Sequence, residues 1–252
     1  MGDVLVLCYH ALSERWPADL AVTPDRFEEQ LEELVGRGYR GVTFSEALAD
    51  GDGGERRLAV TFDDAYRSVI ELGRPVLDRL GLPGTVFVAA DFLGSAEPMA
   101  WPGIDRWLAG PHEGEMMCMD REQLLELAGA GWEIGSHTSS HPRLPALSDE
   151  LLAAELAGSR ARLEDQLQLP CPSLAYPYGD VDRRVARAAG EAGYETACTL
   201  RAWELRRDRL LWPRVGVYQG DTLERFRLKV SPLARRFKLS ALRHPIAALR
   251  RA

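Results

Sequence analysis

Short, continuously apolar runs alternate along this chain with stretches whose apolar residues recur at helical spacing. Residues 4–9 (VLVLCY) read as a strand. After them Thr23-Pro24-Asp25 supplies a cap residue, a proline suited to the first helical position and an acid. Phe27, Leu31, Leu34 and Val35 then keep helical spacing until Gly36 and Gly38 close the segment. The same reading gives a short strand at 41–44, a helix from Ser45, a strand at 58–62 and a helix over 66–80, the last on Val69, Leu72, Val76, Leu77 and Leu80. Further on it predicts strand 85–90, helix 120–130, strand 132–135, helix 149–168, strand 173–176, helix 181–192 and strand 195–199. Uninterrupted apolar strands between amphipathic helices indicate a parallel sheet buried on both faces. About seven such units, with no glycine-rich phosphate loop after any strand, point to one α/β domain related to the (β/α)8 barrel rather than to two Rossmann halves.

Composition adds bounds. A chain of 252 residues, 46% hydrophobic, can bury a full core. Cys8, Cys118, Cys171 and Cys198 lie far apart with no CxxC spacing, which suits lone buried thiols better than a disulfide framework or a zinc ribbon. No window of about 18 apolar residues is present to span a membrane. Asp3 stands where a secretory signal carries basic residues, so the first apolar run reads as a core strand and the expected location is cytoplasmic. The net charge of −7 is uneven: nine of the 31 Lys and Arg residues, and no Asp or Glu, lie between Arg225 and Ala252. This divides the chain into a body, 1–224, and a basic amphipathic tail, 225–252. The acidic body has no basic groove with interleaved aromatics, which argues against nucleic acid. Basic amphipathic tails suit anionic membrane surfaces, so peripheral contact with the inner membrane face is expected of residues 225–252, although Pro232 and Pro245 split them.

Two polar clusters sit at strand ends, where barrels gather their chemistry. Asp63-Asp64 follows Leu58-Ala59-Val60-Thr61-Phe62, and His137 and His141 follow Trp132-Glu133-Ile134-Gly135-Ser136. Neighbours on a strand point to opposite faces, so both carboxylates serve one site only if the chain turns there. Asp before a helix also serves as a cap. The histidines are four apart, and Pro142 disfavours a helical turn at His141, which favours a tight loop. Imidazoles and carboxylates together are what a divalent cation with open coordination positions takes.

With those residues in view, the sequence resembles the polysaccharide deacetylase (NodB-homology) family of carbohydrate esterases. The resemblance is carried by Thr61-Phe62-Asp63-Asp64, Gly84-Thr85-Val86-Phe87-Val88, Gly131-Trp132-Glu133-Ile134-Gly135-Ser136-His137-Thr138, His141 and Tyr176-Pro177-Tyr178-Gly179. It runs from about residue 4 to 217. It implies a deformed (β/α) barrel and a metal-dependent N-deacetylase acting on an N-acetylated saccharide. By the same resemblance Asp64, His137 and His141 hold one divalent ion, with zinc the default, Asp63 is the general base, and the backbone N–H of Tyr178 helps hold the oxyanion. The leaving amine needs a proton donor.

The chain departs from the family pattern twice. Ala175 stands where the family carries an arginine that braces the base, and the late Leu-x-x-His motif that carries the acid is missing. His10, ending the first strand, is the expected replacement acid, since a closing barrel brings its first and last strands together. Arg214, in Leu211-Trp212-Pro213-Arg214-Val215, is the expected replacement brace. His244, in the basic tail, reads as a solvated residue. The long insertion at 92–118, with Trp101, Trp107 and His112, is expected to roof the substrate site. The substrate suggested by the cytoplasmic reading is an intermediate, lipid-linked or nucleotide-linked. Two other readings remain open from sequence: an amide or ester hydrolase of the same fold acting on a non-sugar molecule, and a non-catalytic carbohydrate-binding relative.

Overall fold

The computed structural model describes residues 3–49, 54–200 and 208–237. Its strands are β1 (Val4–Tyr9), β2 (Ala11–Leu12), β3 (Ala21–Val22), β4 (Arg40–Gly41), β5 (Arg57–Phe62), β6 (Gly84–Val88), β7 (Glu133–Ser136), β8 (Ser173–Ala175), β9 (Thr196–Thr199), β10 (Trp212–Pro213) and β11 (Val215–Gly216). The α-helices are α1 (Pro24–Gly36), α2 (Phe44–Ala47), α3 (Arg74–Leu80), α4 (Arg121–Gly129), α5 (Asp149–Leu167), α6 (Arg183–Glu191), α7 (Leu223–Val230) and α8 (Pro232–Phe237).

The main sheet runs β10-β9-β8-β7-β6-β5-β1-β11, every neighbouring pair parallel, with β4 added on β5. β10 and β11, at its opposite ends, are separated in the chain by Arg214 alone. One extended stretch therefore pairs first with β9 and then with β1, and it nearly closes a deformed barrel. The seven-strand expectation omitted this short closing stretch, because four strand residues split around an arginine show no apolar run. The 41–44 strand is also shorter than expected, since Thr43 leaves the sheet to cap α2 in a reciprocal capping box with Glu46.

Burial explains the uniform strands: all six residues of β5 and all five of β6 are buried. Helix α1 starts as expected, with Thr23 accepting from the Arg26 N–H and Pro24 in the first turn. It lays Phe27, Leu31 and Leu34 on the sheet, where Phe27 meets Tyr9 edge-on at 4.9 Å. The predicted 66–80 helix is interrupted. Pro75 has no N–H to return to Glu71, and residues Val69–Gly73 take a π-helical turn before α3. Gly84 allows β6 to pass Trp132, whose ring would lie 2.4 Å from any Cβ there.

The expected division at residues 224/225 falls inside α7. Phe226 and Val230 join the main core, while Arg227 pairs with Glu33 of α1 and Arg235 with Asp3 beside β1. The described start of the basic segment thus packs on the barrel. Residues 238–252, His244 among them, lie outside the described residues. Among those described, no helix is long and apolar enough to cross a membrane.

Candidate metal centre

The polar residues predicted from sequence converge at the C-terminal ends of the strands. Asp63 and Asp64 directly follow β5. The turn that lets both face one site is left-handed, with φ of 68° at Asp64 and 52° at Ala65. His137 and His141 follow β7 in a loop, with positive φ at Thr138 and His141. This is the tight loop that Pro142 favoured, rather than a helical turn. The loop is pinned by His137 N–H to the Val88 carbonyl and by Ser139 and Ser140 N–H to the Glu155 carboxylate.

Asp64 Oδ1 lies 3.6 Å from His137 Nε2 and 3.5 Å from His141 Nε2. Two ligands bound about 2.1 Å from one zinc-sized ion at tetrahedral angles stand about 3.4 Å apart, so this spacing fits a shared cation. The donor chemistry fits as well. His137 Nδ1 meets the Ala175 carbonyl at 2.7 Å, which places the ring proton there and leaves Nε2 with a free lone pair. Both Asp64 oxygens are buried without a hydrogen-bond partner, a costly arrangement for a carboxylate unless a cation shares it. Burial, then the neighbouring Asp63, raises the Asp64 carboxyl well above its usual range. Burial likewise lowers both histidines, His141 further through His137, so their imidazoles stay neutral, the form that ligates metal.

Asp63 lies beside this cluster and is held differently. Arg214 Nη1 and Nη2 each donate to a separate Asp63 oxygen at 2.7 Å, and Nη1 also donates to Thr61 Oγ1 at 2.9 Å. Burial alone would raise the Asp63 carboxyl, but Arg214, with His137 and His10, holds it well below the usual range. The Cys8 thiol, at 3.4 Å, also donates to Oδ2. Cys8, His10 and Asp63 form a second grouping of ligand-type atoms, but the bidentate guanidinium already neutralises its carboxylate.

His10, at the end of β1, brings Nε2 to 4.0 Å from Asp63 Oδ2. Burial lowers it to about 4, against Asp63 and with Arg214 and His137. Tyr178 sits left-handed at φ 59° in the turn after β8, its ring 4.6 Å from that of His141. Trp101 of the 92–118 insertion stacks on His141 at 5.3 Å and 24°, whereas Trp107 packs edge-on against His112 at 5.4 Å. The insertion thus does two things: Met99, Ile104 and Met116 pack it into a small core with Trp16 and Tyr66, and Trp101 covers the candidate centre. All four cysteines are free and buried.

Three neighbours of the site escaped sequence reasoning. Cys8 read only as a core thiol. Tyr218, whose ring stacks on His10 at 6.4 Å and 28°, follows a strand too short to register. Arg143 places its guanidinium 4.2 Å over the Tyr178 ring, and its position two residues after His141 was the available signal.

The sequence pattern of the polysaccharide deacetylase family matches residues 50–197. YxkH of Bacillus subtilis (strain 168), named for polysaccharide deacetylation, is 26% identical over 221 residues, covering 85% of this chain and 71% of its own. The poly-beta-1,6-N-acetyl-D-glucosamine N-deacetylase of Staphylococcus aureus (strain N315) is 22% identical over 183 residues, covering 68% of this chain but 58% of its own. Among solved structures, IcaB from Ammonifex degensii superposes with a TM-score of 0.71 at 25% identity, covering 92% of this chain and 98% of that one.

Proposed function

The chain belongs to the polysaccharide deacetylase family, and on that footing we propose that it is a metal-dependent hydrolase that removes the acetyl group from an N-acetylated amino sugar. The observation that carries this reading is one carboxylate oxygen, Asp64 Oδ1, facing two imidazole nitrogens at 3.5 and 3.6 Å beside a second, separately held carboxylate. Asp64, His137 and His141 would hold a divalent ion. Bound there, the ion would lower the pKa of a water and polarise the acetamide carbonyl.

The remaining steps fall to the chain's own groups. Asp63 takes the proton of the attacking water. Arg214 keeps that carboxylate ionised and fixes both of its oxygens, so the base enters the reaction already oriented. The backbone N–H of Tyr178 would donate to the oxygen on which negative charge develops. His10 gives a proton to the departing amine. Burial keeps His10 neutral near pH 7 in the resting protein. It therefore needs a proton during the cycle, and Asp63, 4.0 Å away, is the group beside it that has just gained one. A proton passed from Asp63 to His10 and on to the amine nitrogen returns both residues to their starting states.

The reading as an N-deacetylase of a saccharide, rather than a hydrolase of another amide or ester, is supported by family membership and by the named activity of the Staphylococcus aureus relative. The non-catalytic alternative is disfavoured because the base and all three candidate ligands are present in one place. The test is acetate release from a panel of N-acetylated mono-, oligo- and lipid-linked sugars, using chelated and metal-restored protein in parallel. Absence of acetate from the whole panel with metal bound would overturn the proposed activity.

A further inference from the structure

Both Asp64 oxygens, the Tyr66 hydroxyl and the Trp101 indole N–H are buried without a hydrogen-bond partner. Tyr66 is fully buried two residues beyond Asp64. Its backbone is fixed by an antiparallel bridge to Cys118, and its ring is edge-on to Trp16 at 5.7 Å. Trp101 arrives from the insertion, nearly parallel to the His141 ring and edge-on to Tyr178 at 5.5 Å. The Tyr66 hydroxyl and the Trp101 indole N–H each work against the burial that raises the Asp64 carboxyl.

A buried donor left unpaired is costly. Two such donors gathered at one unsatisfied carboxylate are arranged for it. The carboxylate is also used unevenly. The close approaches to His137 and His141 are both made by Oδ1, which leaves Oδ2 for another partner.

Building on the metal centre proposed above, we propose that Tyr66 and Trp101 are positioning residues of that centre, donating to the Asp64 oxygen that the cation does not use. An oxygen held in this way keeps Asp64 bound through Oδ1 alone. The coordination positions that water and the substrate carbonyl need then stay open. The indole lying on His141 acts on the same centre, limiting rotation of the second ligand. Outer partners of this kind orient metal ligands, and their loss typically weakens metal affinity about 10–100-fold. The roof of the site thus sets how tightly the cation is held, besides covering it.

Packing alone predicts otherwise, because phenylalanine keeps an aromatic ring in both places. Zinc affinity is measured by competition with a chromophoric chelator for the wild type, Trp101→Phe, Tyr66→Phe and, from the same insertion, Trp107→Phe. The expected result is an affinity about 10–100-fold weaker for Trp101→Phe and Tyr66→Phe, with Trp107→Phe at the wild-type value. If Tyr66→Phe fails to fold, Trp101→Phe against Trp107→Phe decides alone. Wild-type affinity in both Trp101→Phe and Tyr66→Phe overturns the positioning role while leaving the metal centre intact. A wild-type protein that binds no divalent ion overturns the metal centre, and this role with it.

Discussion

Arg214 grips Asp63 through both terminal nitrogens, one on each carboxylate oxygen at 2.7 Å, from the single residue that separates β10 from β11. The residue at the seam of the barrel is thus the partner of the proposed base. Both are almost completely buried. Removing one member leaves the other as an uncompensated internal charge, which costs about 3–5 kcal/mol. Arg214→Met is expected to lower stability by that order and to cut kcat by about 100-fold, within the range set by general-base catalysis. Zinc content should stay at the wild-type level, because Arg214 touches none of the three proposed ligands. Urea unfolding, metal analysis and acetate-release kinetics on the same preparation check all three.

The proposed base and acid should separate kinetically from the ligands. Asp63→Asn and His10→Ala are each expected to lower kcat by about 10²–10⁴-fold with metal retained. Asp64→Asn or His137→Ala should instead lose metal binding. Near-normal turnover of metal-loaded His10→Ala would remove His10 from the acid role.

His10 also predicts a pH effect on stability. Burial holds it to about 4 in the folded protein, whereas an unfolded histidine titrates near 6.5. Between those values the unfolded chain binds the extra proton, so this part of the stability is complete above pH 6.5 and is lost as pH falls toward 4. The wild type should therefore lose about 3 kcal/mol more than His10→Gln across that window. Urea midpoints at pH 7 and pH 4.5 on metal-free protein measure the difference.

Cation binding should stabilise the fold. Asp64 keeps both oxygens buried, and burial with the neighbouring Asp63 raises its carboxyl well above the usual range, so its ionised form is costly until a cation shares it. An ion that binds only the folded state adds about 2.7 kcal/mol at 100 times its dissociation constant. Zinc added to chelated wild type should raise Tm accordingly, and the same addition to Asp64→Asn should raise it far less.

The start of the basic segment is expected to behave as part of the barrel. Phe226 is fully buried in the main core, so Phe226→Ala should cost about 3–5 kcal/mol. Thermal unfolding of this variant checks it; a change under 1 kcal/mol would return α7 to the status of an appendage.

Local chemistry alone determined much of this protein. Continuous apolar runs marked β1, β5, β6, β7, β8 and β9, Thr23-Pro24 marked the start of α1, and Asp63, Asp64, His137 and His141 were legible because each pair follows such a run. These signals need only neighbouring residues: burial on both faces makes a strand uniformly apolar, and ligands must follow the strand that aims them. Tertiary structure decided what depends on residues far apart in the chain. The closing stretch 212–216 is recognisable only by its two different partners, β9 and β1. Arg214 was expected from the resemblance to brace the base, but its two-pronged grip on Asp63, like the stacking of Trp101 on His141 and the burial of Phe226, follows from how the barrel closes and how the insertion folds back. No local pattern fixes the geometry of such contacts, because closure brings together groups as distant in the chain as Arg214 and Asp63, 151 residues apart.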